Sequence, residues 1–290
     1  MIPEKLIIFI LIFSLFSCQS SSRNQAADIP GKTNPAVSYE PYEGEHYELL
    51  LALKEYIDSP KLDRLFSHPD FTIYERVASA QRSYNQITVE FYKRPQFGLF
   101  TDAGIRAGRR FVEDNYEALT RAADEFNIGY DAIWDISALA GIEYSWGRMR
   151  PRHRAFNALV SLYRDVPARR TFAINNIRGL LRAIEDPFIE IDPFAPSSFV
   201  GAVGYCQLMP FWFTTILDWR HRERLDGNND GVFDPYDMDD AIQFFAWRLS
   251  DRNYTNNRFD AIKRYNGSGS AARAFAEAVI EFSGLIKSGI

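Results

Sequence analysis

Hydrophobic and polar positions recur with a helical period over most of this chain. In residues 101–126, TDAGIRAGRRFVEDNYEALTRAADEF, the side chains of Ile105, Val112, Leu119 and Phe126 fall seven apart along one face. Thr101 or Asp102 is placed to cap the start. YELLLALKEYI (47–57) predicts a short helix. RTFAINNIRGLLRAI (170–184) gathers Phe172, Ile177, Leu180, Leu181 and Ile184, and Pro187 stops it. DDAIQFFAWRL (239–249) and SAARAFAEAVIEFSGLI (270–286) predict two more helices. Alternating runs are rare, and ITVEFY (87–92) is the one fair strand candidate. The pattern predicts a mainly α fold with no internal repeat and no coiled coil.

One predicted helix carries a misplaced charge. DAIWDISALAGIEYSWGR (131–148) reads as amphipathic, yet Glu143 stands in its apolar run between Ile142 and Tyr144. Ala140, Leu139 and Ile136, three, four and seven residues earlier, share its face. A carboxyl held there is desolvated and its pKa rises, which suits a general acid. Equally, Gly147 breaks the helix just beyond, and Glu143 would then simply reach solvent. A second segment, SFVGAVGYCQLMP (198–210), crowds Gly201, Ala202 and Gly204 together. Small residues let a backbone pass close to another surface. Gln207 adds a donor and an acceptor, and Pro210 with the following Phe-Trp-Phe starts another helix.

Composition narrows the classes. The 290 residues are 46% hydrophobic and 15% aromatic, enough for a folded core. A net charge of −5 argues against a nucleic-acid reader. The four histidines make no HExxH or short His/Cys cluster, and neither a GxSxG elbow nor a phosphate loop is present. Of the two cysteines, Cys18 follows Lys5 and the apolar run Leu6–Phe16. That run is too short to span a bilayer and fits a secretory signal. Leu15, Ser17 and Cys18 match a lipoprotein processing site, with Cys18 as the lipidated N-terminus; an ordinary signal cut or a short anchor are the alternatives. The expected organisation is a signal peptide at 1–17, a flexible tether at 18–45 and a domain at 46–290, with its core from about 101. Cys206 then has no disulfide partner.

Together, GIEYSWGR and, some 55 residues later, SFVGAVGYCQLMP resemble the lytic murein transglycosylases, in particular the membrane-bound type B branch. PARRTF, DPYDMDDAI and RYNGS resemble later motifs of that branch. The resemblance implies a lysozyme-like helical core with added N-terminal helices. It implies Glu143 as the single catalytic acid. That residue would protonate the glycosidic oxygen between N-acetylmuramic acid and N-acetylglucosamine, then take the proton of the muramoyl 6-hydroxyl as it attacks C1. A 1,6-anhydro end results, with no second carboxylate of the usual glycosidase pair.

By the same resemblance, Ser198 and Gln207 contact sugar and acetamido groups, Tyr205 and Met209 line the groove, and Tyr265 and Asn266 close the site. Arg169 and Arg170 meet the acidic peptide stem. The residue after the glutamate is commonly Ser or Thr in that family and here is Tyr144. Cys206 stands where a small unreactive residue is common, and burial would keep it inert. The implied partners are peptidoglycan strands and, through the lipid anchor, the outer membrane facing the periplasm. A monomer is expected. A hydrolytic muramidase, or a non-catalytic murein-binding lipoprotein, are the alternatives.

DGNNDGVFDPYD (226–237) fits the EF-hand spacing. Asp226, Asn228 and Asp230 take positions one, three and five, Val232 offers its carbonyl, Asp234 a water-mediated contact, and Asp237 the last ligand. This predicts a structural Ca²⁺ site, with no cofactor needed for chemistry; an Asx-rich turn capping the next helix is the other reading.

Overall fold

The computed structural model describes residues 47–53, 59–75 and 87–289. The expected signal, Cys18 and tether lie outside them. The described chain is mainly helical: α1 Tyr47–Leu53, α2 Ser59–Phe66, α3 Val89–Tyr92, α4 Asp102–Asp114, α5 Tyr116–Glu125, α6 Ala132–Tyr144, α7 Ala155–Asp165, α8 Arg170–Ala183, α9 Phe211–Asp218, α10 Met238–Ser250, α11 Arg258–Asn266 and α12 Gly269–Ser288. A two-stranded antiparallel ribbon pairs β1 (His153–Arg154) with β2 (Pro196–Ser197). No helix among the described residues is long and apolar enough to cross a membrane.

Three expectations change. ITVEFY is not a strand: Phe91 and Tyr92, adjacent in sequence, are both buried, which a helical turn allows and a one-faced strand does not. The long helix from Thr101 is two helices. Thr101 does cap the first, its hydroxyl accepting from Gly104 N at 3.2 Å. At Asn115 (φ −118°, ψ 22°) the side-chain amide donates to Phe111 O at 2.8 Å, a local bond that competes with the backbone ladder. The seven-residue stripe survives the break, and Ile105, Val112, Leu119 and Phe126 are all buried.

The third change concerns the site. α6 is not amphipathic but enclosed almost all round, with only Trp134 partly exposed. It packs against α4, α5 and α10, and most extensively against α12. Helices buried on every side are core helices, so a polar residue on this one has no easy route to water.

α6 ends abruptly. Ser145, Trp146 and Gly147 take φ of 50°, 53° and 79° in succession. Trp146 N donates back to Ala140 O at 3.0 Å, a Schellman-type closure. The Trp146 indole N–H donates to Ser137 O at 2.9 Å and the ring lies on Gly141, where an added Cβ would stand 2.6 Å away. The chain thus folds back on its own helix and fixes the last turn.

Candidate active site

Glu143 sits in that last turn of α6 and is 2% exposed. Its Oε2 is buried with no hydrogen-bond partner. Burial holds its carboxyl well above the usual 4.5. The partial negative charge at a helix C-terminus acts in the same direction. Its neutral, protonated form is therefore favoured above the ordinary carboxylate range, as a proton donor requires. Of the two readings of this residue, the desolvated one holds.

The carboxyl faces a cleft of about 380 Å³, mouth included, lined by Gln207, Leu208, Met209, Phe211, Trp212, Phe244, Arg248, Tyr265 and Asn266. Glu143 is the one acid among these residues. The glycine segment forms the facing wall as a tight hairpin. Val203 and Leu208 exchange backbone hydrogen bonds at 2.9 and 2.8 Å. Gly204 takes φ 74°, and a Cβ there would stand 2.3 Å from Pro235 O. Gln207 closes the turn at φ 50°, a region uncommon for a non-glycine residue, and its amide donates to Gly204 O at 3.0 Å. Strain of this kind persists where the surroundings dictate it. α11 supplies the third wall: Tyr265 donates to Cys206 O at 2.7 Å, tying helix to hairpin, and its ring stacks between Phe245 and Phe275.

The structure thus brings Glu143, Gln207, Met209, Tyr265 and Asn266 together. It places the other expected residues elsewhere. Ser198 is buried, and its hydroxyl accepts from Ala202 N at 2.9 Å and Val200 N at 3.3 Å, holding the loop's own backbone. Tyr205 lies edge-on between Tyr144 (5.3 Å between ring centres) and Tyr236 (6.1 Å). Tyr144 is buried in this aromatic contact and does not line the cleft. Its large ring joins the end of α6 to the hairpin, which accounts for a Tyr beside the glutamate. Arg169 stands over the Phe172 ring at 5.6 Å. Arg170 pairs with Glu48 of α1 at 3.3 Å and stands over Tyr163 at 5.0 Å. Neither arginine lines the cleft. Cys206 is free and buried, and burial pushes its thiol up, so it is inert as expected.

Arg248, Trp212 and Phe244 were not foreseen as cleft residues. Arg248 came from a helix that reads as ordinary core. Its signal was the one Glu143 gave, a charge set inside an aromatic and apolar run, FFAWRL.

The 226–237 loop departs from the expected ligand set. Asp226 accepts from Asp230 N and Gly231 N, Asn228 from Asp230 N, and Asp230 from Val232 N, all within 3.0 Å. Asp237 caps α10, accepting from Asp239 N at 2.8 Å and Asp240 N at 3.2 Å, and so does not close the loop. The acid beneath the loop is the fully buried Asp240, which accepts from Gly227 N at 2.6 Å and Asp234 N at 2.7 Å. Burial, with Asp237 and Asp226 nearby, pushes it up to about 7. Among the described residues no three His, Cys, Asp or Glu side chains are grouped to hold a metal ion. The loop has the oxygen chemistry for calcium but not the assembled cage.

Residues 50–258 match the transglycosylase SLT domain. The chain belongs to that family. Membrane-bound lytic murein transglycosylase B of Escherichia coli K12 is 28% identical over 145 residues, 50% of this chain but only 37% of that protein's length. The fold is also that of the soluble lytic transglycosylase SltB1 from Pseudomonas aeruginosa (21% identity, TM-score 0.68, covering 83% of this chain and 97% of that one). It is likewise that of the Escherichia coli lytic transglycosylase Slt35 in complex with calcium (18% identity, TM-score 0.68, covering 87% and 99%). The SLT domain match spans α6, the hairpin, the loop and Arg248, so most of the cleft lies inside the matched range, and Tyr265 and Asn266 follow just beyond its end.

Proposed function

We propose that this chain cleaves the β-1,4 bond between N-acetylmuramic acid and N-acetylglucosamine in peptidoglycan, leaving 1,6-anhydromuramoyl ends. The observation that carries the proposal is a buried, unbonded Glu143 carboxyl on a cleft with no second acid among its lining residues. Glu143 donates its proton to the glycosidic oxygen as the bond to C1 breaks. The carboxylate then accepts the proton of the muramoyl 6-hydroxyl while that oxygen bonds to C1, so the acid is regenerated and no water is consumed. The single acid serves both steps because burial disfavours its charged form and makes the carboxylate a strong base. Gln207 and Asn266 are the amides in reach of sugar or acetamido groups. Ser198 and Tyr205 act by shaping the hairpin, and Arg169 and Arg170 keep their expected role of meeting the acidic peptide stem, outside the cleft that holds the acid.

Digestion of purified sacculi, followed by mass spectrometry of the released fragments, tests the reading. Anhydro ends are expected. Products heavier by one water would mean hydrolysis. No release by folded protein would leave a binding role only. Glu143→Gln should abolish release while retaining binding to sacculi.

Two further elements belong to the same reading. The chain is exported and anchored through a lipid on Cys18, at the outer membrane facing the periplasm. Radiolabelled fatty acid should enter the wild type and not Cys18→Ala. Calcium binds the 226–237 loop as a structural ion through Asp226, Asn228, Asp230 and the Val232 carbonyl, neutralising the buried Asp240 carboxyl, in line with the calcium complex of Slt35. Calcium should then raise the melting temperature in the wild type but not in Asp226→Ala with Asp230→Ala, which removes two of the ligands.

A further inference from the structure

Arg248 is the cleft residue whose burial calls for explanation. It projects from α10, is 2% exposed, and is the largest fully buried side chain of the described residues. Its guanidinium lies 3.7 Å from the centre of the Trp212 ring, which satisfies its face. Its edge carries five N–H donors in a planar fork. Among the described residues the one hydrogen bond it makes is from Nη1 to Asp251 Oδ2 at 3.4 Å, long for a charged pair, and Asp251 is itself 46% exposed. A charge taken out of water this completely is ordinarily matched by a well-bonded counter-ion. Glu143, on the same cleft, does not serve as one: its acidity is set by burial alone, with no contribution from Arg248. The cleft therefore holds a neutral proton donor and an under-bonded cation, with Gln207, Tyr265 and Asn266 also lining it.

We infer that Arg248 is a specificity-determining residue that receives a carboxylate of the substrate within the catalytic cleft. The inference rests on the proposed transglycosylase reading and deepens it. A guanidinium fork matches a carboxylate in a bidentate way, and the Trp212 face holds it in plane for that purpose. Peptidoglycan offers this chemistry from two sources. One is the lactyl carboxylate of a muramoyl residue that has lost its peptide, and the other is a free carboxylate of the stem peptide.

Both sources are distinguished with the full chain acting on two strand preparations, peptide-free and peptide-bearing. Each is used as such and after its carboxylates are converted to amides with carbodiimide and ammonia. The wild type should lose about tenfold to a hundredfold in kcat/KM on amidation. Loss with peptide-free strands assigns the lactyl group. Loss confined to peptide-bearing strands assigns the stem. Arg248→Gln should cut carboxylate strands that much more slowly and be insensitive to amidation, whereas Arg248→Lys should keep part of the sensitivity. A structural role for Arg248 would instead lower the melting temperature and slow both strand forms alike. Equal wild-type rates on native and amidated strands overturn the assignment even if no variant folds, as does an Arg248→Gln that stays as sensitive as the wild type. No product from any strand with the wild type removes the transglycosylase reading, and the Arg248 assignment with it.

Discussion

At the scale of single residues, the chemistry is a matter of where two charges are buried. Glu143 and Arg248 each stand in an apolar run, and both are nearly inaccessible. For Glu143 the raised pKa has a thermodynamic signature. In the unfolded chain the group ionises near its ordinary 4.5, whereas in the fold it stays protonated well above that. The stability it contributes is complete below about 4.5 and is lost as pH rises towards the folded value. Glu143→Gln cannot ionise and escapes that loss. The melting temperature of the variant should exceed that of the wild type at neutral pH, and the difference should close below pH about 4. What the measurement reads is the sign of that difference and its closure at low pH. Asp240 titrates too, but it is common to both proteins and cancels in the difference. Parallel melting curves from pH 4 to 8 would sink the assignment of a buried neutral acid.

At the scale of elements, what the sequence disclosed depended on how local the cause was. The Thr101 cap, the seven-residue stripe and the close backbone approach of the glycine segment are written in neighbouring residues, and each appears where expected. The break at Asn115 was also local, but an asparagine in a helical pattern does not announce whether its amide will bond to Phe111 O. The enclosure of α6 was not legible at all, because burial on all sides depends on α4, α5, α10 and α12 arriving from distant sequence. The same reason hid Arg248 from the site and gave the place beneath the loop to Asp240 in place of Asp237. For the hairpin the local rule makes a prediction. Gly204 has φ 74° and no room for a Cβ against Pro235 O. Gly204→Ala should therefore destabilise by about 2 kcal/mol or more, combining left-handed strain with an overpacked contact. Activity should fall further than stability alone explains, because Gln207 hangs from this turn. Denaturant melts and turnover measured on the folded fraction separate the two effects.

At the scale of the whole molecule, the acid's position depends on a polar clamp far along α6 from the reaction. Asp135 is fully buried two turns before Glu143. It accepts from Arg258 of α11, Nε to Oδ2 at 2.7 Å and Nη2 to Oδ1 at 2.5 Å, and from the Tyr254 hydroxyl at 2.5 Å. Burial and then the Asp135 carboxylate push the Tyr254 hydroxyl up, while at Arg258 the hydrogen bond to Asp135 raises the guanidinium above its ordinary range against the opposing effect of burial. α11 also carries Tyr265 and Asn266 into the cleft, so the clamp joins the helix bearing the acid to the helix bearing its cover. Arg258→Ala leaves Asp135 buried and unpaired. Breaking such a pair from one side costs about 3–5 kcal/mol, and the half-exposed guanidinium places this one towards the lower end. Replacing both partners, as Asp135→Asn with Arg258→Gln, should restore part of the loss, because no lone buried charge remains. If the single and double variants unfold at the same denaturant concentration, the clamp is packing and not charge. If Arg258→Ala loses turnover in proportion to its folded fraction, with KM unchanged, then α11 does not depend on Asp135 to present Tyr265 and Asn266 to the substrate.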